Sequence, residues 1–244
     1  MVIISSLDSY EISKVNTFVY SLNKSGFTGK KYMIVYECSN DVKEFLSEKG
    51  WEVIERESEG EYIVSKRFHH FYQLIENLNI KEQVLICDCR DVYFHKNPEL
   101  IKPSKLYIAQ DGNFPLRLNT WATMEIKTMY PQDYDDISDK YHLCAGVFYG
   151  EAQNIISLCR KTYEYVFESK RFDKNDIGKP TCADQMALNI VAYRDLKYKF
   201  ILNNSIINLA QTFWKQDIEF FIYHQYDRVS NFKEKLINKK NKVI

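Results

Sequence analysis

The chain has 244 residues, 45% of them hydrophobic, with no formal net charge and a pI near 6.9. That balance excludes a general attraction to nucleic acid, and low Gly (8) and Pro (5) beside Tyr 18 and Phe 15 exclude a long disordered segment. No stretch reaches the roughly 18 apolar residues of a membrane span, and six scattered cysteines without a CxxC pair point to reduced core thiols, not a zinc or disulfide frame.

The first hundred residues alternate in period. Val2–Leu7 is predicted as an apolar strand, and no basic leader precedes it, so a cytoplasmic location is expected. Ile12, Val15, Phe18, Val19 and Leu22 fall at helical spacing, and Gly26 can close that helix. Tyr32–Tyr36 is a second strand. Asn40 or Asp41 can cap a short helix that runs to Lys49 and ends at Gly50. Trp51–Ile54 is a third strand. Val64, Phe68, Phe71, Ile75 and Leu78 trace a further helix, and Gln83–Cys87 is a fourth strand. Such alternation predicts right-handed βαβ units and a mainly parallel sheet.

After Pro98 the rhythm changes. Leu106–Ala109 is a strand, with Asp111-Gly112 read as a plain turn after it. Residues 113–140 read as irregular. Ala145–Tyr149 is a strand between two glycines, and Ile155, Ile156, Cys159, Tyr163, Val166 and Phe167 mark a helix. A helix from Thr181 through Tyr193, a strand at Lys199–Leu202 and a strand at Phe220–Tyr223 follow. The class is therefore α/β: one domain with a parallel N-terminal half (1–98), a mixed half (99–230) and a basic tail (231–244). In that tail Lys235, Lys239, Lys240 and Lys242 read as solvated, with peripheral membrane contact as the alternative.

The run from Val84 to Phe94 carries the most chemistry. An apolar strand feeds into Asp88 and Asp91, and paired carboxylates there can offer hard oxygen ligands to Mg²⁺ or Mn²⁺ at the edge of an open sheet. The competing reading is a strand cap and turn. Asp184 has a similar rival explanation, since Thr181-Cys182-Ala183-Asp184 fits a capping box.

Taken in order, Asp88-Cys89-Arg90-Asp91, Cys144-Ala145-Gly146, Ala183-Asp184-Gln185 with Asn189, and His224-Gln225-Tyr226-Asp227-Arg228 resemble the GT-A class of nucleotide-sugar glycosyltransferases. They look most like the families of glycogenin and the bacterial lipopolysaccharide galactosyltransferases, over Ile3 to Arg228. The resemblance implies a GT-A fold and transfer of a hexose from a nucleoside-diphosphate sugar, most simply a UDP-sugar, with retention weakly favoured. The implied acceptor is a glycan, lipid-linked or surface polysaccharide. It implies Mn²⁺ or Mg²⁺ on Asp88, Asp91 and His224. Ser5, Ser6, Arg67, Asp88, Asp111 and Gly146 would meet the donor, and Asp184 and Gln185 would be catalytic. Two positions depart from the family: Cys89 falls where the first acid of Asp-x-Asp would stand, and Cys144 where Asn is usual. A phosphotransferase or nucleotidyltransferase, and a non-catalytic nucleotide-sugar-binding module, are the alternatives.

Overall fold

The computed structural model describes residues 1–57, 62–168, 183–196, 207–209, 220–228 and 230–232. The expected strand at Lys199–Leu202, the capping residue Thr181 and the C-terminal lysines lie outside them. In the first half, strands β1 (Val2–Asp8), β2 (Lys31–Tyr36), β3 (Glu52–Glu55) and β4 (Gln83–Asp88) alternate with helices α1 (Ile12–Lys24), α2 (Asn40–Glu48) and α3 (Ile63–Asn77). The helix α1 ends where Gly26 takes φ +83°, a conformation that costs glycine nothing. All three strand pairings are parallel, in the order β3-β2-β1-β4.

The second half continues with β5 (Val92–Phe94), β6 (Leu106–Pro115), α4 (Thr120–Met129), α5 (Tyr134–Ile137), β7 (Tyr141–Glu151), α6 (Ala152–Glu168) and α7 (Ala183–Ile190). Strand β7 inserts between β4 and β6 and runs antiparallel to both, giving a six-stranded, mostly parallel sheet of order β3-β2-β1-β4-β7-β6. A small second sheet pairs β5 with β9 (Ile222–His224) and β9 with β8 (Ile207–Leu209). The class is α/β, as the alternating periods require.

Successive strand residues face opposite sides of the sheet. Val2, Ile4, Val84 and Ile86 pack with Phe68 and Phe71 of α3 and Ile155 of α6. On the other face Ile3, Leu7, Leu85 and Cys87 pack with Val15, Phe18 and Val19 of α1 and Leu46 of α2. Coverage on both faces explains why the central strands are nearly continuous apolar runs. Each fully buried phenylalanine contributes about 1.5–3 kcal/mol through lost water contact. A third cluster joins α4, the end of α6 and α7 through Ile126, Met129, Val166, Met186 and Ile190.

Three expectations are corrected. Asp111 lies inside β6, which continues to Pro115, and is not in a turn. The stretch 113–140 holds α4 and α5; α4 buries only Ala122, Ile126 and Met129 and exposes Trp121 and Met124, so its periodic signal is weak. Strand β7 has 11 residues and begins at Tyr141, not Ala145. The five described cysteines are free, and four of them are buried. Among the described residues no helix is long and apolar enough to cross a membrane.

Candidate functional site

The end of β4 sets the site. Asp88 follows Val84 and Ile86 on the face toward α3, because side chains alternate along the strand. Cys89 turns to the opposite face, where its thiol donates to the Ser6 carbonyl at 3.1 Å. Asp88, not Cys89, therefore faces Arg67 and His224. Asp91 immediately precedes β5, whose Val92 pairs with His224 at the end of β9. Gln225 then adopts φ +58°, which stops β9 directly after His224. Backbone pairing thus brings a residue near position 90 against one at 224.

Asp88, Asp91 and His224 offer one ligand atom each, all within 4.8 Å of one another. His224 Nε2 lies 3.4 Å from Asp88 Oδ2 and 3.3 Å from Asp91 Oδ1. That nitrogen is buried and has no hydrogen-bond partner among the described residues, an expensive state unless something joins it to the acids. Burial opposes protonation of the ring, yet Cys144, Asp91 and Asp88 together raise it well above its ordinary range. Gly146 of β7 covers the cluster. A Cβ there would clash with His224 Cε1 and fall 2.6 Å from Asp88 Oδ2 and 2.7 Å from His224 Nε2. The space beside the three groups exists because residue 146 has no side chain. Two oxygens and an imidazole nitrogen around such a space fit a small divalent cation.

Arg67 occupies the next position outward. It leaves α3 along the apolar stripe, is nearly buried, and divides its guanidinium between two acids. Nη1 donates to Asp88 Oδ1, and Nη2 donates to Asp184 Oδ2 at 3.1 Å. Arg67 is thus an ion-paired residue and not a solvated charge on the helix face. Burial alone would raise Asp88, but Arg67 and His224 hold its carboxyl well below the usual range. Asp184 is deeper, and burial raises it despite Arg67.

Helix α7 is fixed to β7 by side chains. Asn189 accepts from the Leu143 N–H at 2.8 Å and donates to the Leu143 carbonyl at 2.9 Å, imitating a neighbouring strand. One turn earlier, Gln185 accepts from the Ala145 N–H at 3.2 Å and donates to Asp111 at 3.2 Å. Its amide also contacts His142 Nε2 at 3.0 Å, and His142 Nδ1 lies 3.4 Å from Asp111. An amide N–H facing Nε2 makes that atom the acceptor and puts the ring proton on Nδ1, toward Asp111. Burial lowers the His142 imidazole, with Asp111 opposing. Pairing between β6 and β7 slips register between Ile108 and Pro115, as bulges beside functional sites do, and Asp111 stands in that slip.

These groups line a cleft of about 590 Å³, walled on its far side by Phe114 and Trp121. A second cleft of about 380 Å³ adjoins it and reaches Ser6, Tyr10 and Arg90. Ser6 therefore faces ligand space. Ser5 does not: it is fully buried and its hydroxyl donates to the Cys87 carbonyl at 2.6 Å. Arg67, Asp88, Asp91, Asp111, Gly146, Asp184, Gln185 and His224 all converge on the larger cleft. His69 and His70 read as structural, and His70 accordingly bonds Tyr36 within the core. Tyr10 and His142 escaped sequence reasoning, and Asn189 and Arg228 entered it only as motif members without a stated role. The motif His224-Gln225-Tyr226-Asp227-Arg228 held the signal for Arg228, whose side chain lines both clefts and bonds no described residue.

No protein-family model matches this chain, and no curated protein matches it in sequence.

Proposed function

We propose that the chain is a metal-dependent glycosyltransferase that moves a hexose from a nucleoside-diphosphate sugar, foremost a UDP-sugar, to a glycan, lipid-linked or surface-polysaccharide acceptor. The observation that carries the reading is the convergence of Asp88, Asp91 and the orphaned His224 Nε2 beneath Gly146. Asp88, Asp91 and His224 would hold Mn²⁺ or Mg²⁺. When bound, the cation supplies charge neutralisation for a departing diphosphate.

The chain's own residues divide the remaining work. Arg228 stands where the two clefts join and, its side chain unpaired among the described residues, offers a guanidinium to phosphate oxygens. Ser6 and Tyr10 border the smaller cleft, which suits a nucleoside in size and position. Arg67 neutralises Asp88 and Asp184 together, so both acids keep fixed orientations without repelling each other. Asp184 and Asp111 present carboxylates to sugar hydroxyls, with Asp184 the group best placed to serve the reacting centre. The Gln185 carboxamide is committed to Ala145, Asp111 and His142, so it contributes by holding them. Retention of configuration is the favoured outcome, and a site of action at the cytoplasmic membrane surface suits the basic C-terminus.

A thermal-shift panel of nucleotide sugars, with and without Mn²⁺, tests the reading on the parent and on Asp91→Ala. Ligand bound to the native state raises Tm by mass action. One donor should stabilise the parent only with metal and leave the variant unmoved. Silence across all donors and metals would remove the glycosyltransferase reading; metal-dependent binding without turnover would leave a binding module.

A further inference from the structure

Cys144 stands where the resemblance leads one to expect an asparagine, and the structure gives its sulfur a defined neighbourhood. Sγ lies 3.4 Å from His224 Nδ1, and the Gly146 N–H donates to the same sulfur at 3.4 Å. Both side chains are buried, Cys144 at 1% and His224 at 2% exposure. The sulfur sits behind the ring, while Nε2 on the opposite edge faces Asp88 and Asp91.

The two ring nitrogens cannot be assigned independently. A cation on Nε2 needs the lone pair there, which puts the proton on Nδ1. Nδ1–H is then a buried donor, and Sγ is the acceptor within reach. Were the thiol instead to donate to Nδ1, the neutral ring would carry its proton on Nε2 and could not bind metal through that atom.

We propose that Cys144 is a positioning residue whose Sγ accepts from His224 Nδ1–H and so holds Nε2 toward Asp88 and Asp91 for a divalent cation. The inference rests on the metal reading above and deepens it. Partners of this kind behind a ligating histidine orient the ring, and their loss lowers metal affinity. The Gly146 N–H fixes the sulfur in turn, so the glycine that leaves room for the cation also anchors the group behind its ligand.

The test is a Mn²⁺ titration, read by electron paramagnetic resonance of the free ion, on the full chain and on Cys144→Ala and Cys144→Ser. Cys144→Ala should bind Mn²⁺ about ten- to a hundredfold more weakly than the parent. Cys144→Ser keeps an acceptor and should recover part of that loss. Equal affinity in the parent and a folded Cys144→Ala overturns the proposal while leaving the metal reading intact. A parent that binds no Mn²⁺ overturns both. Nitrogen-15 spectra of the parent imidazoles give a second readout that needs no variant. His224 Nδ1 should be protonated in the Mg²⁺-loaded protein, and an unprotonated Nδ1 there also defeats the assignment.

Discussion

Arg67 Nη2 lies 3.1 Å from Asp184 Oδ2 while Nη1 of the same guanidinium holds Asp88, so one side chain of α3 ties the end of β4 to the start of α7. Replacing it by alanine leaves two acids facing each other with no cation between them. Loss of one partner from a buried ionic group costs about 3–5 kcal/mol. Arg67→Ala should lower stability by that order in urea unfolding, and Arg67→Lys should restore only part, because an ammonium cannot span both acids. Equal midpoints for all three proteins would show that the fork holds neither element.

Gly146→Ala tests the space beside the proposed cation ligands. The added methyl meets Asp88 and His224 at distances no ordinary contact allows, so one of them must turn aside. Overpacking of this kind costs about 1–3 kcal/mol. The variant should stay folded by circular dichroism yet lose the Mn²⁺-dependent rise in Tm. Retention of that rise would place the cation elsewhere.

Asn189→Leu keeps the size of a side chain that imitates a strand edge but leaves the Leu143 N–H and carbonyl unmatched. Each buried group so orphaned costs about 1–3 kcal/mol. Denaturant unfolding should report a loss of that scale, and amide exchange at Leu143 should accelerate beyond that of neighbouring β7 positions. An unchanged Leu143 exchange rate would mean that the two contacts add nothing to the strand.

Acidity should act through His142. Burial depresses this ring below its ordinary value of 6.5, so the unfolded chain takes up the proton first as pH falls. The stability contributed by the neutral ring is complete above about pH 6.5 and is lost progressively until the folded ring protonates too. Between about pH 7 and pH 5 the parent's Tm should therefore fall more steeply than that of His142→Gln. Parallel curves would mean that His142 does not couple to acid unfolding.

The N-terminal half of the fold was legible because its strands and helices each carry one strong period, from Ile3 and Ile4 to Phe68 and Phe71. The segment 113–140 was not, since α4 buries few of its apolar residues and packs only once α7 arrives. Asp88 and Asp91 were readable as metal-ligand chemistry because they stand together at a strand end, whereas His224 joined them only through the family resemblance. What Arg67 does was not readable: its helix position is compatible with water or with two acids, and only tertiary placement of Asp184 decides. His142 was invisible for the same reason, as was the role of Asn189, a member of the resembling motif. Their partners are backbone groups and amides that have no signature of their own in sequence.

The reversal of β7 between β4 and β6 has a dynamic corollary. Gly146 sits just past the last Cys87–Val147 pairing of the central ladder, so whatever settles beneath it also clamps two strands far apart in the chain. Occupancy should accordingly slow hydrogen exchange along β4 and β7 together, as one cooperative unit.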